Sequence, residues 1–314
     1  MISVAMATYN GQKYIKEQLD SIISQSLKAD EIVISDDGST DDTIAILDDY
    51  ASRYSFIRVT HNVGRHGFVA NFANAISLCG GDYIALCDQD DIWCEDHIKD
   101  LYDNIGDKDF VGADAELVNV DGSSQHITMK DVLGIHSVPH DNDSIFLHEL
   151  ITNIFQGSSC MLTRTLYDKY KDIPDGVKYH DHYFALMACM EGGCTYIDKV
   201  ITKYRQHESS VTENIAVQGI QKLKNAVAPD ESFVSKYTKL RDEDLDFLHA
   251  VEPYIKDEYI LQYHEAITYL QNIQNNQMKK NRRFFVKYYE EVYLEKKVLS
   301  RYLFRYIKHF WFNK

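Results

Sequence analysis

The sequence predicts an α/β domain built on a parallel sheet, followed by a helical C-terminal region. Two observations carry this expectation. Over residues 1–112, short apolar runs suited to strands buried on both faces alternate with segments whose apolar residues recur at helical spacing. Beyond Gly219 the chain contains no glycine and reads as helix to its end. A βαβαβαβ order calls for right-handed crossovers and helices on the faces of the sheet.

Ile2–Ala7 reads as the first strand, and Thr8-Tyr9-Asn10-Gly11 is turn chemistry at its end. Ile15, Leu19, Ile22 and Ile23 then mark one face of a helix. Glu31–Ser35 is the second strand, closing in Asp36-Asp37-Gly38-Ser39-Thr40-Asp41. Ile44, Leu47 and Ala51 mark a second helix, with Ser39, Thr40 or Asp41 available as its cap. Ile57–Thr60 is a third strand, followed by a glycine-containing loop from His61 to Gly67, a helix from Val69 to Leu78, and a fourth strand at Asp82–Cys87.

After Trp93 the rhythm changes. Phe110–Ala113 and Glu116–Val120 read as two short strands, the second ending at an Asp121-Gly122 turn. Residues 126–143 are polar and patternless, as expected of a mobile loop near a site. Phe155–Thr163 reads as a strand in which Gly157 permits close backbone approach. His180-Asp181-His182 precedes a helix from Tyr183 to Glu191, and Tyr196–Ile197 with Ile201–Tyr204 read as the last strands. Ile255, Tyr259, Tyr263 and Ile267 recur every fourth residue and mark one late helix; Phe284 to Phe312 reads as another.

With 314 residues, 45% of them hydrophobic, the chain has ample material for a core, and it holds no apolar run long enough to span a bilayer. The N-terminus enters a strand directly, without the pattern of a signal peptide. Six cysteines show no CxxC pair, as expected of reduced thiols in a cytoplasmic protein. The net charge of −15 hides an asymmetry: residues 279–314 carry 11 Lys/Arg against 3 Asp/Glu. An acidic body argues against a nucleic-acid partner, while the basic end suits an anionic one.

The chemistry is concentrated in Asp82–Trp93. A buried strand ends in Asp88, Asp90 and Asp91, and the carboxyl ends of such strands are where open α/β sheets bind ligands. Carboxylates this close repel unless protons or a hard cation neutralise them, and oxygen-rich clusters suit Mg²⁺ or Mn²⁺. The bland alternative is a solvated acidic turn capping the helix that starts near Glu95.

Three segments occur in order: Ser3-Val4-Ala5-Met6-Ala7-Thr8-Tyr9-Asn10, then Ile34-Ser35-Asp36-Asp37-Gly38-Ser39-Thr40-Asp41, then Asp88-Gln89-Asp90-Asp91. Together they resemble the family-2 inverting glycosyltransferases, which have the GT-A fold. The resemblance continues through Phe155-Gln156-Gly157-Ser158-Ser159-Cys160-Met161 and His180-Asp181-His182 to Tyr204-Arg205-Gln206-His207, covering the first 210 residues or so. The Cys-Asp-Gln-Asp-Asp-Ile-Trp and Tyr-Arg-Gln-His forms look most like members that build bacterial surface polysaccharides, rhamnosyltransferases among them.

The resemblance implies a UDP- or dTDP-sugar donor, a saccharide or lipid-linked saccharide acceptor and a divalent cation, Mn²⁺ or Mg²⁺. It implies that Thr8 and Tyr9 line the nucleotide site, Tyr9 stacking on the base, and that Asp37 accepts a hydrogen bond from the base. Arg65 would approach phosphate. Asp90 would ligate the cation, Asp88 would hold the ribose or a metal-bound water, and His207 would complete the metal shell. Asp181 would be the base that deprotonates the acceptor hydroxyl; many relatives carry Glu-Asp where this chain has His180-Asp181. Gln156 and Gly157 would line the acceptor side, and Trp93 would anchor the core beneath. Read alone, Asp37 and Asp181 are as well explained as turn or helix caps, Tyr9 as turn packing, and Arg65 and His207 as surface residues.

The expected division is a GT-A domain at 1–214 and a helical region at 215–314, the boundary falling between Glu208 and Gly219. Residues 281–314 interleave basic and aromatic side chains, which leaves two placements open. The segment lies on an anionic membrane at the inner face of the cell, or it packs on the domain or on a second copy of the chain. Other classes predict other residues. A sugar nucleotidyltransferase calls for a Gly-rich basic loop after the first strand, where Thr8-Tyr9-Asn10-Gly11 stands. A non-catalytic GT-A-like scaffold would have a defective acidic or base position, yet Asp88, Asp90 and Asp181 are present.

Overall fold

The computed structural model describes residues 1–133, 135, 141–207, 242–275, 277 and 280. Strands β1 (Ile2–Thr8), β2 (Glu31–Asp36), β3 (Ile57–His61) and β4 (Tyr83–Cys87) alternate with helices α1 (Ile15–Ile23), α2 (Thr43–Arg53) and α3 (Phe68–Leu78). The four strands pair in parallel in the order β3-β2-β1-β4. Every residue of β1 is buried, because this central strand is covered on both faces. Its side chains alternate strictly. Ala5 and Ala7 join a core with α3 and the later helices, while Val4 and Met6 join a second core with α1, α2 and α4 (His97–Ile105).

Beyond β4 the sheet becomes mixed. The remaining strands are β5 (Ile92–Trp93), β6 (Phe110–Val118), β7 (Ser124–Thr128), β8 (Cys160–Thr163) and β9 (Cys194–Arg205). The order continues β4-β8-β6-β9-β5, with β8 antiparallel to both its neighbours, β9 parallel to β6, and β7 a hairpin arm on β6. Each of the two strand pairs expected near 110–120 and 196–204 is a single strand. The apparent breaks at Asp114 and at 198–200 are a bulged stretch where the register shifts twice: Ala113 faces Ile197, Asp114 faces Val200 and Ala115 faces Thr202. Asp114 stays inside the strand because its carboxylate accepts from the Ala115 and Lys130 backbone N–H groups.

The segment expected to be irregular at 126–143 is instead built, for its described part, from the end of β7, helix α5 (Met129–Leu133) and the start of α6 (Asn142–Glu149). Met129 packs on Ala115 and Leu117 and holds α5 to the sheet. Residues 157–159 form a tight helical turn, not strand, because Ser158 O is engaged by both Trp93 Nε1 and Thr202 Oγ1. Helix α7 (Arg164–Tyr170) leads to α8 (His180–Cys189), which begins three residues earlier than its pattern suggests. Every α8 residue is buried, polar ones included, so periodicity carries no information about its start.

Two late helices, α9 (242–251) and α10 (Ile260–Gln274), pack on the same core as α8 through Leu248, Val251, Tyr263 and Leu270. Helix α10 starts at Ile260, after two short turns, so Ile255 and Tyr259 precede it. The expected domain boundary at 208–219 and the basic aromatic segment 281–314 lie outside the described residues. No helix among the described residues is long and apolar enough to cross a membrane.

Gly112 shows how tightly the sheet is packed near its middle. A Cβ there would sit 2.3 Å from Phe155 Cδ1 and 3.1 Å from Cys160 Sγ. Gly112→Ala is expected to lower stability by ~1–3 kcal/mol, as overpacking does. Urea unfolding checks this, and a shift smaller than the error of the method would refute it.

Candidate functional site

The carboxyl ends of β2, β1 and β4 lie side by side and carry Asp36–Asp41, Thr8–Gly11 and Asp88–Asp91. Asp36 is fully buried and structural: its carboxylate accepts from Thr8 Oγ1 at 2.9 Å and from the Gly38 and Ser39 N–H groups at 3.0 and 2.8 Å. Thr8 is therefore a buried tie, while Tyr9 beside it is 56% exposed. The turn role open to Asp37 belongs to Asp36. Asp37 instead organises the loop after β3, taking Asn62 Nδ2, His66 Nδ1 and the Gly67 N–H, each at 2.8 Å. A carboxylate has about four acceptor positions, so one on Asp37 Oδ2 is left for a ligand. Arg65 lies in that loop but pairs with Asp175, both side chains being exposed, and not with the acidic turn.

The acidic turn is knitted to the end of β9. The Arg205 backbone N donates to Asp91 Oδ1 at 3.0 Å and Arg205 Nε donates to Asp90 O at 2.9 Å. His207 Nε2 lies 2.8 Å from Asp90 Oδ2, its ring stacked on Tyr14 with centroids 5.0 Å apart. Arg205 itself is 2% exposed; it also donates to Val120 O, pairs with Glu17 Oε2 at 2.5 Å and lies 4.8 Å over the Tyr14 ring. Burial and then the neighbouring carboxylates raise Asp88 well above the ordinary range. Asp91, fully buried and with Oδ2 unpartnered, is pushed up to about 8 by burial and by Asp90. Trp93 is 3% exposed and anchors this region from below.

Asp90 Oδ2 and His207 Nε2 stand at hydrogen-bond distance, and a carboxylate with an imidazole is a donor pair that an Mn²⁺-type ion could take. Among the described residues no three His, Cys, Asp or Glu side chains converge in a metal-holding group, so Asp88 does not close a triad with this pair. A Mg²⁺- or Mn²⁺-type site needs no more than one or two protein ligands where phosphates and waters supply the rest. The donor set fits such an ion.

Asp181 is 7% exposed in the first turn of α8. Its Oδ1 accepts from the His182 N–H and its Oδ2 from Asn153 Nδ2 at 3.1 Å. Burial raises it to about 6 against these stabilising hydrogen bonds. Its charge adds a minor part to the upward shift of Asp88, behind burial and the nearer Asp91 and Asp90. Gly157 stands against it: a Cβ there would be 3.3 Å from Asp181 Oδ2. Gln156 is half-buried at the head of the same turn, its carbonyl accepting from Ser159 N. His182 is a neighbour only, stacked on Phe247 and bonded to Glu149 O. His180 is 1% exposed, stacked on Phe72 at 3.9 Å, and burial lowers it to about 3. Arg205, Asn153 and Gln89 are contributions that residue patterns alone do not assign. Gln89 and Arg205 stand inside the Asp-Gln-Asp-Asp and Tyr-Arg-Gln-His segments without a role of their own, and Asn153 carries no sequence signal.

The model of the family described as "Glycosyl transferase family 2" matches residues 3–171, more than half of the chain. An uncharacterized Mycobacterium tuberculosis protein is 27% identical over 225 residues, 67% of this chain and 60% of the relative. The Shigella flexneri protein named dTDP-rhamnosyl transferase RfbG is 45% identical over 103 residues, 31% of this chain and 36% of that one. The match thus spans 60% and 36% of the lengths of these two relatives. The structure of mannosyltransferase PcManGT from Pyrobaculum calidifontis, in complex with GDP-Man and Mn²⁺, superposes with a TM-score of 0.56 at 16% identity, over 91% of this chain and 74% of that one. The shared architecture is the GT-A fold, and the chain belongs to glycosyl transferase family 2.

Proposed function

We propose that this glycosyltransferase moves a sugar from a nucleoside-diphosphate donor to a hydroxyl of a saccharide acceptor, with inversion at the anomeric carbon. The observation that carries the reading is the acidic Asp88–Asp91 turn at the carboxyl end of β4 in a chain of this family, with the buried Asp181 carboxylate in the first turn of α8 as a second, separate acidic group. A carboxylate raised to about 6 is ionised at neutral pH and yet is a stronger base than an exposed one, which suits deprotonation of an attacking hydroxyl. Asn153 holds its orientation, and the absence of a side chain at Gly157 leaves room for the acceptor beside Oδ2. Gln156 lines the same side.

On the donor side, the exposed Tyr9 ring serves as a face for the base, and the remaining acceptor position of Asp37 takes its N–H. Asp88 reaches the ribose. Asp90 and His207 would hold a divalent cation, whose Lewis acidity offsets charge on the departing diphosphate. A relative named for dTDP-rhamnosyl transfer supports a dTDP-deoxyhexose donor.

Calorimetric titration of UDP and dTDP, each with and without Mn²⁺, into the wild type and Asp90→Ala tests the reading. Cation-dependent binding of one nucleotide, lost in the variant, is the expected outcome. Absence of nucleotide binding under every condition would overturn it.

A further inference from the structure

We propose that Gln89, the middle residue of Asp88-Gln89-Asp90, is a positioning residue that fixes the Tyr9 platform for the nucleotide base. The inference deepens the donor-site reading above and rests on it. Its starting point is where the sheet stops. The β1–β4 ladder ends at the Met6–Cys87 pair, so Tyr9 and Gln89 lie beyond the last paired residues, where the two chains part to form the site.

One side chain bridges the gap. The Tyr9 backbone N–H donates to Gln89 Oε1 at 3.0 Å, and Gln89 Nε2 donates to Tyr9 O at 3.1 Å. A planar carboxamide presents a donor and an acceptor side by side, so it satisfies both main-chain groups of one residue as a neighbouring strand would. A carboxylate of the same size can accept but not donate, and an apolar side chain can do neither. The Tyr9 ring remains free of this grip, 56% exposed, while its main chain is held.

Gly11 is shaped around the same contact. A Cβ at Gly11 would lie 2.3 Å from Gln89 Oε1 and 2.8 Å from Gln89 Cδ. Gly11 is not among the glycines with positive φ, so alanine fits its backbone, and what a Cβ would displace is the Gln89 carboxamide itself. The turn of residues 9–11 thus keeps one small residue so that a side chain from the acidic turn can reach Tyr9.

The test is a set of nucleotide affinities measured by calorimetry, with UDP and dTDP as probes in the presence of Mn²⁺. Gln89→Ala is expected to weaken binding of the preferred nucleotide about tenfold, the effect of losing two hydrogen bonds that order the platform. The isosteric Gln89→Glu is expected to weaken it as well, which guards against a packing artefact. Gly11→Ala alone should produce a comparable loss, and should add nothing when Gln89 is already alanine. In a Tyr9→Ala background, Gln89→Ala should have no further effect, a dependence that a merely structural role would not show.

Wild-type affinity in both Gln89→Ala and Gln89→Glu would overturn the assignment, as would full additivity of Gly11→Ala with Gln89→Ala or of Tyr9→Ala with Gln89→Ala. A wild type that binds neither nucleotide would instead overturn the donor-site reading on which the assignment stands.

Discussion

Asp181→Asn is expected to remove transfer while leaving donor binding essentially intact. Loss of a positioned general base costs about 10²- to 10⁴-fold in kcat. Asparagine preserves the size of the side chain and can still accept from Asn153 Nδ2, so the acceptor side keeps its shape. The wild-type rate should rise with pH through about 6, as the Asp181 carboxyl ionises. The same burial has a cost in stability, and its sign is fixed by linkage. The folded state holds the Asp181 proton more tightly than the unfolded chain does, so the stability tied to the protonated form is present below the ordinary carboxylate value. It is lost as pH rises through about 6. Asp181→Asn should therefore be more stable than the wild type above that pH, by as much as about 3 kcal/mol, and the gain should vanish towards about pH 4. The gain falls short of that limit to the extent that one amide oxygen cannot serve both His182 N and Asn153 Nδ2. Denaturant unfolding at several pH values, beside initial rates, checks both halves. Retained turnover in a folded Asp181→Asn would exclude the base role.

What could be read from the sequence follows from how local its causes are. The first four strands and three helices were legible because period and turn chemistry act over a few residues, as in Ile15, Leu19 and Ile22 before the shared α1 core. The family segments fell at the strand ends, where ligands bind in such sheets. The bulge opposite Asp114 was not legible, since it is a matter of register between strands some 80 residues apart. Of two adjacent aspartates, local rules could not tell that Asp36 would organise the turn and Asp37 the next loop; the choice depends on Thr8, Asn62 and His66. Asn153 and Arg205 read as ordinary polar residues because their partners lie far along the chain. The start of helix α8 was missed for the opposite reason: with every residue buried, it has no polar face to give a period.

Arg205→Ala is expected to cost more than any exposed ion pair would suggest, and the reason lies in what the guanidinium satisfies. Glu17, its charged partner, is 55% exposed, and water can replace the arginine there. Glu17→Gln should therefore change stability by no more than about 1 kcal/mol. The carbonyls of Asp90 and Val120 are a different case: Arg205 donates to both, and removing it leaves two acceptors without their partner beside the Tyr14 ring. Both carbonyls are only part-buried, so at about 1 kcal/mol for each hydrogen bond lost, with the packing of the buried guanidinium on the Tyr14 ring added, Arg205→Ala should destabilise the protein by roughly 2–3 kcal/mol. Arg205→Lys should recover little, because an ammonium cannot span the two carbonyls and Glu17 with the planar fork they require. The consequence reaches the proposed cation pair, since Arg205 holds Asp90 by its main chain two residues before His207 meets the Asp90 carboxylate. Arg205→Ala, where it folds, should bind nucleotide with weakened dependence on Mn²⁺. Urea unfolding of the three variants, with calorimetry on those that fold, decides the matter. If Glu17→Gln proves as costly as Arg205→Ala, the ion pair to α1 and not the carbonyl fork carries the stabilisation that Arg205 provides.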